Sequence, residues 1–476
     1  MTASIAKNTA LMTVASIAQR IISFAYFTIV ARMIGVQGTG KYFLALSFST
    51  LFVIFVDLGL TNVLVREAAK AKDRMQEYLS AVFALKIGLG VISYAGMFFA
   101  ANALGYESEL RHMIYLSGVT MLFDSLHLTM YGALRAIGDL RFEAGSIIAS
   151  QTITMTLGTM FLFLGYPIIF LILAFTIASA CNAVFAATML WKKHRLFLLP
   201  KWNTGIIRGI ASIAVPFAIA AVLARIYSYA DSILLSKLAG QEAVGWYSIP
   251  YKMTFAFQFI PLALVAAVYP RFSEYFAANK ERLAKLFEQS MVYVLLAALP
   301  IAAGIGILAK DIVVLLYTDV YLPSVVPLQI LIVSLIFAFA SFPIGALLNA
   351  CDKQKYQTAI VATVLFVNVG LNIILIPAHG AVGAAVAALV GNILLAGLGF
   401  CVVPSITPIS HARLASMGGR LLLAAGVMGL VVWQVNATTH VLVAIAAGAA
   451  IYPTMLFWTR VITVQEMREA WALVKR

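Results

Sequence analysis

Charge is what this sequence most lacks. Only 11% of its 476 residues are Asp, Glu, Lys or Arg, 62% are hydrophobic, and the mean hydropathy is +0.97. Soluble domains carry roughly 25% charged residues, so a soluble globule of this length has too few charges to cover its surface. A polytopic membrane protein remains. Cysteine is nearly as scarce. Cys181, Cys351 and Cys401 stand far apart in apolar runs, with neither the pairing of a disulfide framework nor the spacing of a metal site, and they read as small core residues. No cofactor and no metal is expected. Long outer loops are missing too: the longest break on the outer side, 309–323, is too short for a catalytic domain, and no Ser/His/Asp set or carboxylate pair stands out. That argues against an enzyme. The first apolar run is longer than a signal-peptide core and no small-residue cleavage site follows it, so it is expected to be retained as a helix.

Apolar length is what the sequence has in abundance. Stretches of twenty or more residues, separated by short polar breaks, lie near 9–33, 42–65, 78–104, 111–135, 143–165, 167–191, 208–236, 243–270, 286–308, 324–350, 356–377, 381–403, 414–435 and 439–460. Each is long enough to span a bilayer as a helix. The expected fold class is an all-α polytopic membrane protein with about 14 transmembrane helices.

Positive charge is shared unevenly among the breaks. The side that holds both termini carries 23 Lys and Arg, from Lys7 through Arg66, Lys70, Lys72 and Arg74 and a group at Lys192, Lys193, Arg195, Lys201 and Arg208 to Arg468, Lys475 and Arg476. The opposite side carries five: Arg32, Lys41, Arg111, Lys237 and Lys310. Cytoplasmic loops are the ones rich in Lys and Arg, so both termini are expected in the cytoplasm of a protein of the plasma (inner) membrane. This bias also accounts for most of the net charge of +14 and removes the case for a nucleic-acid partner.

Two echoes point to an internal duplication. Gly35, Gly40 and Tyr42, between the first and second stretches, recur as Gly240, Gly245 and Tyr247 between the seventh and eighth; Gly132-Ala133-Leu134 and Asp139 recur as Gly345-Ala346-Leu347 and Asp352. Stretches paired in this way are six apart, an even number, so the halves share one orientation, as in a parallel repeat. The expected organisation is an N-terminal six-helix bundle over 1–191, a basic cytoplasmic linker over 192–207, a second six-helix bundle over 208–403, and two extra helices with a cytoplasmic tail over 404–476.

Some short motifs carry no chemistry. Gly35-x4-Gly40-Lys41 looks like the start of a P-loop, but Tyr42 stands where a Ser or Thr is required and membrane helices flank it. Asn436-Ala437-Thr438 fits a glycosylation sequon, a pattern common by chance, and His379 falls in a tight turn where a capping role is the simplest.

Ionisable side chains at membrane depth are costly and face a water-filled interior or one another. Arg20 lies about halfway along the first stretch and Arg225 about halfway along the seventh, which are equivalent helices of the two halves. This suits a cationic cavity, and it also suits structural pairing with aspartate. Lys252 stands beside Tyr247, Tyr251, Phe255 and Gln258 at three-to-four spacing. Such a stripe suits sugar rings, since tyrosine pairs a flat apolar face with a hydroxyl, and suits ordinary helix packing equally. Asp124 and His127, three residues apart, form either a protonatable pair or a mutually satisfied one. Asp231, six residues after Arg225, is on a different face and needs its own partner. Lys86 and Arg420 lie toward cytoplasmic ends and are expected to snorkel.

The whole chain resembles the polysaccharide (O-antigen type) flippases of the multidrug/oligosaccharidyl-lipid/polysaccharide exporter superfamily. The resemblance runs through Arg32-Met33-Ile34-Gly35 with Gly38-Thr39-Gly40-Lys41-Tyr42, Asp57-Leu58-Gly59-Leu60 leading to Arg66-Glu67, Asp231-Ser232-Ile233-Leu234-Leu235, Val244-Gly245-Trp246-Tyr247, and Ile376-Pro377-Ala378-His379-Gly380-Ala381-Val382-Gly383. It implies two parallel six-helix bundles, MATE-like, plus two C-terminal helices. It further implies a carrier of polyprenyl-pyrophosphate-linked oligosaccharides, moved to the outer leaflet by alternating access. An anionic pyrophosphate head suits charge-assisted hydrogen bonds from Arg20, Arg225 and Lys252, with Tyr251 and Gln258 beside them. Coupling to an H+ or Na+ gradient is implied as well, with Asp57, Asp124, His127 and Asp231 as candidates, and other polysaccharide assembly proteins as partners. Two rivals share the superfamily: a flippase for peptidoglycan lipid precursors, and a multidrug extruder, which should show an acidic cavity. A membrane polymerase or ligase lacks the outer loop it needs.

Overall fold

The computed structural model describes the backbone of residues 2–461 and the side chains of 11–215 and 218–461. The side chains of Lys7, Arg468, Lys475 and Arg476, counted above on the basic side, lie outside the described residues. Among the described residues the chain is α-helical and has no strand. The helices are α1 (Thr2–Asp57), α2 (Leu60–Lys70), α3 (Met75–Ala103), α4 (Ser108–Ile137), α5 (Arg141–Phe163), α6 (Ile169–His194) and α7 (Thr204–Leu238). They continue as α8 (Gly240–Ala256), α9 (Phe259–Ala278), α10 (Lys280–Ile307), α11 (Ala309–Tyr317), α12 (Val325–Ala350), α13 (Gln354–Val402), α14 (His411–Asn436) and α15 (Val441–Trp458). Helix is the required answer for such apolar runs, because hydrocarbon leaves backbone polar groups no partner except each other.

Eleven stretches of the described residues are long and apolar enough to cross a membrane. Two of the helices involved are too long for one crossing. α1 has 56 residues and α13 has 49, about 84 and about 74 Å if straight, against a hydrocarbon core of roughly 30 Å. Both are broken where the sequence expects a turn, at Gly35 (φ 70°) and Gly380 (φ 51°), and glycine enters this left-handed region without the penalty a Cβ imposes. α4 is absent from the eleven because Asp124 and His127 lower the hydropathy of its middle. The break at 309–323 is not a plain loop, since it holds α11, whose Asp311 accepts a hydrogen bond of 2.8 Å from Asn436, the sequon asparagine.

Contacts divide the chain into two compact units, Met1–Ser248 and Ile249–Arg476. In the first, α1 packs against α3, α4 and α5, and α4 against α6. Its core near the basic side gathers Leu64 of α2, Leu79 of α3, Leu134 of α4, Ala186 of α6 and Ile210 of α7. α7 therefore packs with the first unit, whereas the sequence echoes led to the expectation that it opens a second bundle at 208–403. In the second unit α12 packs against α13, α10 and α9, and the last two helices are tied to α10 through Leu421, Ala425 and Met428 of α14 and Ala444 and Leu456 of α15. Lipid tails are as apolar as leucine, so close backbone approach and polar pairs do more of the joining than in water.

Candidate functional site

The first polar centre arises where a helix is interrupted. α1 stops at Asp57, Leu58 (φ 42°) and Gly59 (φ 78°) take left-handed backbone, and α2 restarts at Leu60. Interrupted spanning helices leave free helix ends at membrane depth, and such ends are where carriers bind ions and substrates. Here the Asp57 carboxylate accepts from the Thr61 hydroxyl in the first turn of α2. It also faces Lys86 Nζ of α3 at 2.6 Å. Lys86 donates to Thr61 Oγ1 (2.9 Å) and to the Ser125 carbonyl of α4 (3.4 Å). Snorkelling of Lys86 is thus overturned: only 1% of its side chain is exposed. Distance along a helix says nothing of which way the residue faces, and the partner lies on another span.

A second set of groups runs down one face of α4. Asp124 accepts from Ser179 of α6 at 2.6 Å and stands 3.7 Å from His127 Nδ1, a nitrogen with no hydrogen-bond partner. The His127 ring is 5.9 Å from that of Tyr131, whose hydroxyl donates to Asn182 of α6 at 2.6 Å. One turn further, Arg135 makes a two-pronged pair with the buried carboxylate of Glu143 on α5. Positions 124, 127, 131 and 135 share a helix face, so the file from Asp124 to Arg135 follows the helical period, beyond the Asp124–His127 pair that charge alone marks. Ser125 links it to Lys86, so Asp57, Asp124 and His127 come together in one neighbourhood.

A third feature closes one end of the first unit. The turn after Gly35 and the start of α8, which echo each other in sequence, touch backbone to backbone. A Cβ on Gly40 would lie 1.9 Å from the Gln241 carbonyl oxygen, and one on Gly245 would lie 2.1 Å from that of Val36. Thr39 is fully buried there. Around this contact Lys41 pairs with Glu109 (2.5 Å) and Glu107 (3.3 Å), Lys237 donates to the Leu104 carbonyl, and the Tyr106 hydroxyl meets Ser236 at 2.7 Å. Lys41 is therefore part of a seal and not of a phosphate loop.

The remaining candidates are placed singly. Arg20 and Arg225 are half-buried in the first unit, Arg225 with its guanidinium 6.0 Å from the Tyr229 ring. Asp231 is buried and accepts from Tyr247 at 3.1 Å, which makes Tyr247 its separate partner. In the second unit Tyr251 stacks on Phe255 at 6.0 Å, Lys252 is half-buried beside them, and Gln258 stands at the interruption between α8 and α9. Arg420 stays exposed and donates to the Thr459 carbonyl at 3.4 Å. An apolar cleft of about 560 Å³ between α10, α11, α14 and α15 is lined by none of the candidates.

Among the described residues, apolar helices long enough to span, two of them interrupted, with buried ion pairs between helices, define a multi-pass membrane protein. Residues 5–276 match the model for polysaccharide biosynthesis proteins, and residues 216–374 match the MatE model. The chain belongs to the polysaccharide biosynthesis protein family. It is 22% identical to the Lipid II flippase MurJ of Bacillus subtilis over 95% of both chains, and 23% identical to a putative O-antigen transporter of Shigella flexneri over 75% of this chain and 87% of that one. A probable flippase of Haloferax volcanii, AglR, is 25% identical over 48% of this chain and 50% of its own. Among solved structures, a Lipid II flippase MurJ in an inward closed conformation has a TM-score of 0.78 at 16% identity, covering 95% of this chain and 99% of that one. An inward-facing multidrug transporter of the MATE family has a TM-score of 0.69 at 15% identity, covering 84% and 95%. Both share the fold.

Proposed function

We propose that the protein is a flippase that moves polyprenyl-pyrophosphate-linked oligosaccharides from the cytoplasmic to the outer leaflet by alternating access. The observation that carries this reading is the family match over more than half of the chain, joined to half-buried Arg20 and Arg225 at membrane depth. Guanidiniums at depth suit a pyrophosphate head through charge-assisted, two-pronged hydrogen bonds; in the second unit Lys252, Tyr251 and Gln258 are separate candidates for contact with the substrate. The polypeptide crosses the membrane fourteen times with both termini in the cytoplasm, and its halves descend from one six-helix ancestor. The contact of Gly40 with the Gln241–Gly245 segment then closes the outer mouth.

Coupling to an ion gradient belongs to the first unit in this reading. Asp57, Asp124 and His127 carry exchangeable charge, and the file through Tyr131 to Arg135 leads to the basic, cytoplasmic side; Asp231, hydrogen-bonded by Tyr247, is held in place. A second reading, transport of lipid-linked peptidoglycan precursors, is favoured by the match along 95% of the chain to a Lipid II flippase. The test is translocation in proteoliposomes, offering each lipid in turn. Arg225→Ala should slow translocation of the preferred lipid by at least about tenfold, the loss of one charge-assisted pair, while Arg225→Lys keeps part of the rate. Equal rates for wild type and Arg225→Ala would remove Arg225 from the substrate path. Faster movement of the peptidoglycan precursor would select the second reading.

A further inference from the structure

We propose that the segment from Trp191 to Arg208 is an anchor for anionic phospholipid headgroups. The segment begins in the last turn of α6, crosses the connection and ends in the first turns of α7; α6 itself ends in a sharp turn. Arg195 takes left-handed backbone (φ 56°), and the N–H groups of Arg195 and Leu196 donate to the Trp191 and Leu190 carbonyls, a closure typical of helix C-termini. Beyond it the chain is extended and pinned to α3. One amide, Gln76, holds Phe197 twice, accepting from its N–H at 2.8 Å and donating to its carbonyl at 2.7 Å, and Lys201 N–H reaches the Ser80 carbonyl at 3.4 Å. Extended backbone sends alternate side chains to opposite faces. Leu196 and Leu198 pack on the core of the first unit, while Phe197 (46% exposed) and Leu199 (53%) point away, joined by Trp191 (47%) and Trp202 (71%).

A rigid strip that turns four large apolar side chains outward is unusual for a surface meeting water. Its charge names the occupant. Lys192, Lys193, Arg195, Lys201 and Arg208 are all exposed, and no acidic residue lies between Trp191 and Arg208. Of the acidic groups on neighbouring elements, Glu67 pairs with Lys70, Glu77 with Arg74 and Asp139 with Arg141, while Asp73 is exposed to water. Lys193 additionally covers the Phe142 ring at 4.2 Å. Tryptophan and tyrosine concentrate at the headgroup level of a bilayer, and basic residues beside a spanning helix are drawn to anionic lipids. The strip joins two helices, α6 and α7, so it rides at that level. The inference uses only the cytoplasmic placement of this segment and is independent of the transported substrate.

The test uses the full chain in nanodiscs of phosphatidylcholine with or without phosphatidylglycerol, part of the lipid brominated near the headgroup. The Trp202 signal is the difference between wild type and Trp202→Phe. Bromine should quench it in both membranes, at least about twofold more with phosphatidylglycerol, since each Lys or Arg near an anionic surface adds to the attraction. Lys192→Gln, Arg195→Gln and Lys201→Gln together should erase that gain while the protein keeps its thermal midpoint. Trp202 emission that ignores bromine and is fully quenched by aqueous iodide would overturn the anchor and leave the strip to a soluble protein. Equal quenching in the two membranes would overturn the preference for anionic lipid. Labelling of Pro200→Cys from the outside, with Cys181, Cys351 and Cys401 replaced by alanine, would overturn the orientation itself.

Discussion

In the first unit, Lys86 meets Asp57 of another helix at 2.6 Å with 1% of its side chain exposed; in the second, neutral groups take that place, with Asn392 of α13 donating to Ser334 of α12 at 3.3 Å and Asn372 donating at 3.0 Å to the fully buried Asn368 one turn earlier on α13 itself. Both place polar groups away from water, and Asn368 Nδ2 has no hydrogen-bond partner there. They differ in cost: a buried ion pair must overcome the desolvation of two charges, and apolar replacements of such pairs are often neutral or stabilising. A neutral amide such as Asn392, bonded to Ser334 on the next helix, joins helices in a bilayer without that penalty. The first unit therefore bears an expense that architecture alone does not require. It bears it where α1 is interrupted and where the titratable face of α4 begins, which is where movement of charge would change the packing of four helices at once.

The comparison breaks most visibly if one charge is removed. Asp57→Ala leaves Lys86 buried and uncompensated, with an expected loss of about 3–5 kcal/mol. Asn368→Ala in the second unit should lose about 1–3 kcal/mol. Thermal unfolding of the purified protein in detergent reads both, and the paired change Asp57→Asn with Lys86→Met should recover most of the first loss. Equal losses for the two alanine variants would erase the distinction between the units.

The sealed end of the first unit gives the next effect. Gly245→Ala drives a methyl group against the Val36 carbonyl, an overpacking of about 1–3 kcal/mol, or roughly 5- to 150-fold in the balance between closed and open forms. Labelling of Thr39→Cys by a membrane-impermeant maleimide should rise accordingly. Gly397→Ala in the second unit, with open space around it, should leave that labelling alone. No rise with Gly245→Ala would mean that the contact does not gate the turn.

The smallest effect comes from charge near water. Asp139, between α4 and α5, is held below the ordinary aspartate range by the hydrogen bond and charge of Arg141. A lowered folded-state value stabilises the protein above the ordinary aspartate pKa of about 3.9 and is lost as pH falls through the lowered value. Arg141 is largely exposed, so solvent screening keeps the contribution small. The difference in thermal midpoint between wild type and Asp139→Asn should be slight at pH 7 and vanish in strong acid; a difference that grows on acidification would reverse the assignment.

The sequence marks the class of fold and its interruptions well. The glycines at 35 and 380 sit in the turns expected of them, since only a few residue types tolerate their backbone. Asp57, Asp124 and His127 were also legible, because charge at depth is conspicuous. Lys86 was not, for its rotation about the helix axis and its partner 29 residues away in sequence depend on packing. Tyr131 and Arg135 follow the period of α4, but a tyrosine and an arginine near a helix end look ordinary in a membrane protein and carry no mark of their role. The attachment of α7 to the first unit left no local signal at all, since a helix with apolar residues on several faces fits either neighbour.

The most direct measurement joins the function to the charged interior. Purified protein is reconstituted into liposomes holding a polyprenyl-pyrophosphate oligosaccharide, and its movement between leaflets is followed with and without an imposed H+ or Na+ gradient. The account predicts translocation above protein-free liposomes, acceleration by one of the gradients, and loss of that acceleration in the Asp57→Asn, Lys86→Met protein while gradient-free translocation persists. An equal response to the gradient in wild type and the paired variant would contradict it.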